Sequence, residues 1–153
     1  MQTERLSKLL RDISFSADLP DELLRKLAAI SHVREFPKGS ILLEEGTRNN
    51  DLYLIWSGRV ALDMNVPSHG NVRILLLGPG EMVGWSAVLE LSELTASAVA
   101  TEDTEVVAVP ADQLLREIQS DPALGHEIMR RMALQLARRL LATRVRLLAL
   151  IPE

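Results

Sequence analysis

Residues 36–62 read FPKGSILLEEGTRNNDLYLIWSGRVAL, and this stretch decides the fold. It belongs to a series of short runs rich in Val, Ile and Leu, separated by Gly and Pro: VREFPKG, SILLEEG, DLYLIWSG, RVALDMNV and NVRILLLGPG. In RVALDMNV, Val60, Leu62 and Met64 alternate with Arg59, Ala61, Asp63 and Asn65, the period of a strand with one face buried. NVPSHGN carries Pro67 and Gly70 and reads as a hairpin loop. TASAVAT and TEVVAV supply two further strands. Many short strands with regular turns predict an antiparallel β-roll, a jelly-roll type of barrel, over residues 32–110.

Helices are expected on either side of it. Before the roll, Leu6, Leu9, Leu10 and Ile13 recur at helical spacing. LPDELLRKLAAIS follows, with Pro20 near a helix start and Asp21 and Glu22 ahead of Arg25 and Lys26, which suits the helix dipole. After Pro110, ADQLLREIQ reads as a short helix. Asp121 is then an N-cap, with Pro122 in the first helical position. From there to about Leu150 nothing but Gly125 interrupts a helix of roughly 43 Å at ~1.5 Å per residue. The expectation is one α+β domain over residues 1–153: a helical segment at 1–31, the roll at 32–110 and helices at 111–153.

Composition narrows the function classes. Of 153 residues, 47% are hydrophobic and 25% charged, ordinary globular material. Aromatics are 3%, so the core is mostly aliphatic. The net charge of −4 exerts no general pull on nucleic acid or anionic membranes. Without cysteine there are no disulfides, thiolate metal sites or cysteine nucleophiles. No signal peptide and no membrane-length apolar run is visible, so a cytoplasmic protein is expected. His32, His69 and His126 show no metal-site spacing, and no catalytic constellation is seen, which argues against an enzyme.

On the long helix, Met129, Met132, Leu136, Leu140, Thr143, Leu147 and Leu150 are spaced 3, 4, 4, 3, 4 and 3, close to a heptad seam. The helix outreaches a roll of this size, so its far leucines call for a partner. Burying one leucine is worth ~1.5–3 kcal/mol. The expected interface of a homodimer is Met129, Met132, Leu136, Leu140, Thr143 and Leu147. The arginines of this helix read as a solvated face, with no aromatic interleaving of the kind nucleic-acid surfaces use.

Order of elements and motifs together resemble the cyclic nucleotide-binding domain family, found in catabolite-activator and FNR-type regulators. Gly39, Gly46 and Gly58 fall where that family's strand turns need glycine, and Leu52, Tyr53 and Ile55 match its LYxI strand. LGPGEMVG matches the turn into the family's phosphate-binding cassette, and MALQLARRLLAT resembles the start of its dimer helix. The resemblance implies a regulatory ligand-sensing domain with its cassette at residues 84–99. The ligand positions it implies are Val83, Gly84, Trp85, Ser86, Thr95 and Ala96, with Thr143 where a base contact is made. Arg139, one turn earlier by spacing, is a candidate substitute cation.

The cassette departs from the family pattern where the phosphate chemistry lies. Trp85 stands at the family's Glu, which accepts from the ribose hydroxyl; Thr95 stands at its Arg, which pairs with the phosphate; Ala96 follows. Indole has a donor and no acceptor. A neutral hydroxyl gives ~0.5–1.5 kcal/mol where a charge-assisted bond gives ~1.5–3. The two losses cost on the order of 3–5 kcal/mol, several hundred- to several thousand-fold in affinity. Glu81, Glu90 and Glu93 add negative charge to the same stretch. Binding of cAMP or cGMP in the usual way is therefore disfavoured, and the ligand is unknown. Trp85 either lines a pocket for a less charged or aromatic ligand, or fills the old pocket and leaves a dimerisation or adaptor scaffold. Haem on His69 is disfavoured, since a lone loop histidine is usually solvated. The chain stops where a DNA-binding domain begins in catabolite-activator relatives. It reads as a stand-alone sensor or a fragment of a longer regulator, binding no nucleic acid by itself.

Overall fold

The computed structural model describes residues 2–91 and 93–152. Two helices, α1 (Gln2–Asp12) and α2 (Asp21–Ile30), precede eight strands. These are β1 (His32–Phe36), β2 (Ile41–Leu43), β3 (Asp51–Ser57), β4 (Val60–Val66), β5 (Gly70–Leu77), β6 (Met82–Val83), β7 (Ser97–Ala100) and β8 (Thr104–Pro110). A 3-10 turn, Trp85–Ala87, lies between β6 and β7, and α3 (Ala111–Ser120) and α4 (Pro122–Ala149) close the chain. The strands form two antiparallel four-stranded sheets, ordered β1-β8-β3-β6 and β2-β7-β4-β5. The expected α+β architecture, a β-roll between N-terminal helices and a long C-terminal helix, is what the chain adopts.

The first sheet is covered on both faces, and its sequence says why. Leu52 and Leu54 of β3, with Val107 and Val109 of β8, pack into a core built with the helices. The alternate residues Tyr53, Ile55, Val106 and Ala108 turn into the roll, against Phe36, Leu43, Val60 and Val83. A strand buried on both sides reads as a continuous apolar run, as in LYLI. β4 departs from the alternation expected for it. The register passes from Leu62–Leu75 to Asp63–Arg73, skipping Ile74. Past this bulge Asp63 is the buried residue, 5% exposed, and pairs with Arg73 Nε at 3.1 Å, while Met64 is half-buried. An extra residue in one strand changes the local pairing and re-aims side chains.

The long helix is capped and seated as its first residues direct. Asp121 Oδ1 accepts from Ala123 N at 3.1 Å and Leu124 N at 3.4 Å. Its other oxygen accepts from Lys26 Nζ at 2.5 Å. Gly125 does not break the helix. A Cβ there would stand 2.9 Å from Ile118 Cγ2, so glycine lets α3 pack close. Leu124, Ile128 and Met132 are buried in the helix-side core, with Met129 and Leu136 packed against it. Beyond them Leu140, Leu141, Val145, Leu147 and Leu148 are all exposed.

Candidate functional site

The loop after β6 is shaped by three groups. Gly84 has φ +86, and a Cβ on it would lie 2.8 Å from both Asn49 Nδ2 and the Asp51 carbonyl oxygen. A side chain is therefore excluded by backbone conformation and by contact. Asn49 Nδ2 donates to the carbonyls of Gly84 at 2.8 Å and Asp51 at 2.9 Å, and its Oδ1 accepts from Ser86 Oγ at 2.9 Å. One asparagine thus ties the cassette turn to the loop before β3. At the far end, Leu94 N donates to Thr47 O and Gly46 N to Leu94 O, each at 2.9 Å.

These constraints leave a cavity of about 130 Å³ between the cassette, the roll and α4. Val83, Gly84, Trp85, Ser86, Thr95, Ala96 and Arg139 all line it, with Leu43, Leu62, Leu91, Glu93 and Leu94 completing the wall. Most of the ligand positions expected from sequence therefore converge on one space. Thr143 is not among them: it is exposed, and its hydroxyl donates to the Arg139 carbonyl of its own helix at 2.8 Å. Trp85 is half-buried, lines the cavity and also packs against the helix-side core.

The charges around the site have separate roles. Glu81 accepts from the backbone N–H of Gly78 at 2.7 Å and holds the turn before β6. Glu90 and Glu93 are exposed, Glu93 on the cavity wall. Arg139 is the one cation lining the cavity among the described residues. Its Nη2 donates to the Met82 carbonyl. Its Nε is buried without a hydrogen-bond partner, and it has no salt bridge among the described residues. Burial pushes its pKa down, opposed by the charge of Glu81.

Two positions central to this geometry had not been singled out from the sequence. Asn49 sits in the polar run TRNND, where nothing distinguishes it from an ordinary loop residue. Gln135 did carry a signal, since it lies among the apolar, inward-facing positions Met132 and Leu136. Its amide accepts from Met82 N at 2.9 Å and donates to Gly80 O at 2.9 Å. The helix is thereby stitched to residues 80–82, immediately before the cassette. Of the expected seam, Met132 is 2% exposed in the chain's own core, so it has no surface to offer a partner. His69 is exposed, its ring Nδ1 3.4 Å from the Pro67 carbonyl. No group of three metal-ligating side chains occurs among the described residues. No helix among them is long and apolar enough to cross a membrane.

Comparison with known proteins agrees with this architecture. The family model for the cyclic nucleotide-binding domain matches residues 33–121. The cyclic AMP receptor protein of Thermus thermophilus is 37% identical over 107 residues, 70% of this chain and 48% of that protein. The chain spans about half the length of the curated relatives it matches first. Among solved structures, a cyclic nucleotide-binding domain from Methylobacillus flagellatus superposes with a TM-score of 0.83 at 24% identity, covering 99% of this chain and 85% of that one. The catabolite activator protein of Thermus thermophilus gives 0.71 at 32% identity, covering 90% and 62%. With the β-roll, the glycine-opened turn after β6 and the long following helix in place, the chain belongs to the cyclic nucleotide-binding domain family.

Proposed function

We propose that this chain is a non-catalytic sensor domain whose ligand is not cAMP or cGMP, and that it reports occupancy through α4. The observation that carries this reading is the cavity wall itself. Trp85 and Thr95, which the resemblance aligns with the family's ribose-acceptor and phosphate-cation positions, both line a pocket of about 130 Å³. The pocket is open on one side, and by comparison with a cavity of about 150 Å³ that accommodates a benzene, its walls surround about one ring of a bound ligand. The output path is the amide of Gln135, which would feel any displacement of residues 80–82. A ligand shifts such an element only by as much as it binds the two arrangements differently.

Self-association through the far part of α4 belongs to the same reading. Leu140, Leu147 and Leu148 are exposed and left uncovered by the described residues, and a second copy buries them. Contiguous exposed apolar surface of this kind marks an interaction site. The chain's own arginines contact no nucleic acid in this reading. DNA binding would belong to further segments of a longer regulator.

A thermal-shift screen with cAMP, cGMP, cyclic dinucleotides and uncharged metabolites tests the proposal. Ligand at ~100 times its Kd adds ~2.7 kcal/mol. cAMP and cGMP are expected to leave the melting temperature unchanged. Micromolar binding of either overturns the ligand reading. Sedimentation should show a dimer that Leu147→Glu dissociates. A second reading, a scaffold with no ligand, draws on the packing of Trp85 into the helix-side core. It prevails if nothing in the screen stabilises the protein while the dimer persists.

A further inference from the structure

Resting on the sensor reading above, we propose that the cavity beside Trp85 takes a small cyclic or aromatic monocarboxylate. Its carboxylate would pair with the Arg139 guanidinium and its hydrocarbon body lie against Trp85, Leu43, Leu62 and Leu94.

The first reason is an unanswered charge. Arg139 is a cavity-wall cation with a buried Nε that has no partner, and one Nη bond to a neutral carbonyl. Apart from that bond, the guanidinium makes no hydrogen bond to the described residues, so donors remain in the planar fork that suits a carboxylate. A buried charge is ordinarily paired, and elsewhere on α4 this chain pairs one: Arg131 is held by Asp18 and Glu127. At Arg139 no carboxylate of the described residues is in contact: Glu81 acts on it through its charge alone and is itself held by the Gly78 N–H, so a ligand carboxylate can fill the direct contact.

Space and surroundings choose the rest of the ligand. About 130 Å³ holds roughly one six-membered ring, by comparison with the cavity of about 150 Å³ that binds benzene. The remaining wall is largely aliphatic, with one indole. Glu93 on the same wall disfavours a second negative charge. One cation and one carboxylate on the wall therefore select a monoanion over a di- or triphosphate.

The test titrates the full chain, carrying Trp56→Phe so that Trp85 is the sole indole, with benzoate, phenylacetate and the neutral benzyl alcohol. Indole fluorescence and the Arg139 Nε–H resonance are followed together. At least one of the two carboxylates should bind with a Kd of about 1 mM or tighter and shift both signals. Benzyl alcohol should bind at least about tenfold more weakly. Arg139→Gln should weaken the carboxylate about tenfold or more while leaving benzyl alcohol unchanged, and Arg138→Gln should change neither. Benzyl alcohol binding to Arg139→Gln also shows that the variant is folded. The proposal fails if neither carboxylate binds at about 10 mM, if the alcohol binds equally well, or if Arg139→Gln has no effect. Should the carboxylates fail while an uncharged metabolite stabilises the protein, the ligand class falls and the sensor reading stands. Should neither screen find a ligand, both fall.

Discussion

The two parts of α4 are written in similar residues and are used in opposite ways. In the first, Leu124, Ile128 and Met132 are buried in the domain's own core, and Arg131, 6% exposed, is flanked by two carboxylates. In the second, Leu140, Leu147 and Leu148 are exposed, and Arg139 is half-buried and contacts no carboxylate among the described residues. Gln135 stands at the boundary, bonded to the segment that leads into the cassette. The lesson is that one helix serves as a structural beam over its first four turns and as an interaction surface beyond. The change falls where the cavity begins.

The comparison is broken most forcefully by truncating one leucine in each part. Leu124→Ala should cost about 2–5 kcal/mol in urea unfolding, as a fully buried leucine does. Leu147→Ala, at a position 58% exposed, should change the stability of the single chain by less than about 0.5 kcal/mol, measured at a dilution where copies do not associate. Equal costs would mean that the far part is also core.

Gln135→Leu probes the boundary. It leaves the Met82 N–H without its acceptor and takes one donor from the Gly80 carbonyl, at about 1–3 kcal/mol. If this amide carries the signal, the variant should still bind ligand while hydrogen exchange in the far turns of α4 no longer responds to it. An unchanged response would assign transmission elsewhere.

Smaller effects separate the arginines. Arg131→Met should cost about 1–2 kcal/mol, moderated because Asp18 is 73% exposed and stays solvated. Arg139→Met should change stability by less than about 1 kcal/mol in either direction, because it removes a half-buried cation that makes no contact with a carboxylate among the described residues. Acid titration sharpens the contrast. A hydrogen bond from Arg131 holds the carboxyls of Asp18 and Glu127 below their usual range, and one from Lys26 does the same for Asp121. A depressed folded-state pKa contributes stability present above about pH 4 and lost as the pH falls through the lowered values. Stability should decline through that window in the parent chain, less in Arg131→Met, and as in the parent for Arg139→Met.

Much of this was legible in advance, for reasons that differ by element. The strands and helices could be placed because their signals are local: a two-residue period, glycine and proline at the turns, an aspartate before a proline. The cassette could be located by the resemblance of LGPGEMVG to the family's turn, and the last glycine of that motif, Gly84, adopts a left-handed conformation. The burial of Ala61 and Asp63 on the other face of β4 could not, because it is set by neighbours on other strands, such as Arg73 of β5. Nor could Thr143 be excluded from the cavity, since helical periodicity gives direction without saying where the roll ends.

By itself the sequence determined the β-roll between helices and the capped long helix, because each depends on residues close together along the chain. Tertiary structure alone decided which arginine is neutralised, which leucines are covered and how small the cavity is. The Arg131–Asp18 pair joins residues 113 positions apart. Long-range packing sets the dielectric and the partners that turn one arginine into scaffold and leave another on the wall of a pocket of about 130 Å³.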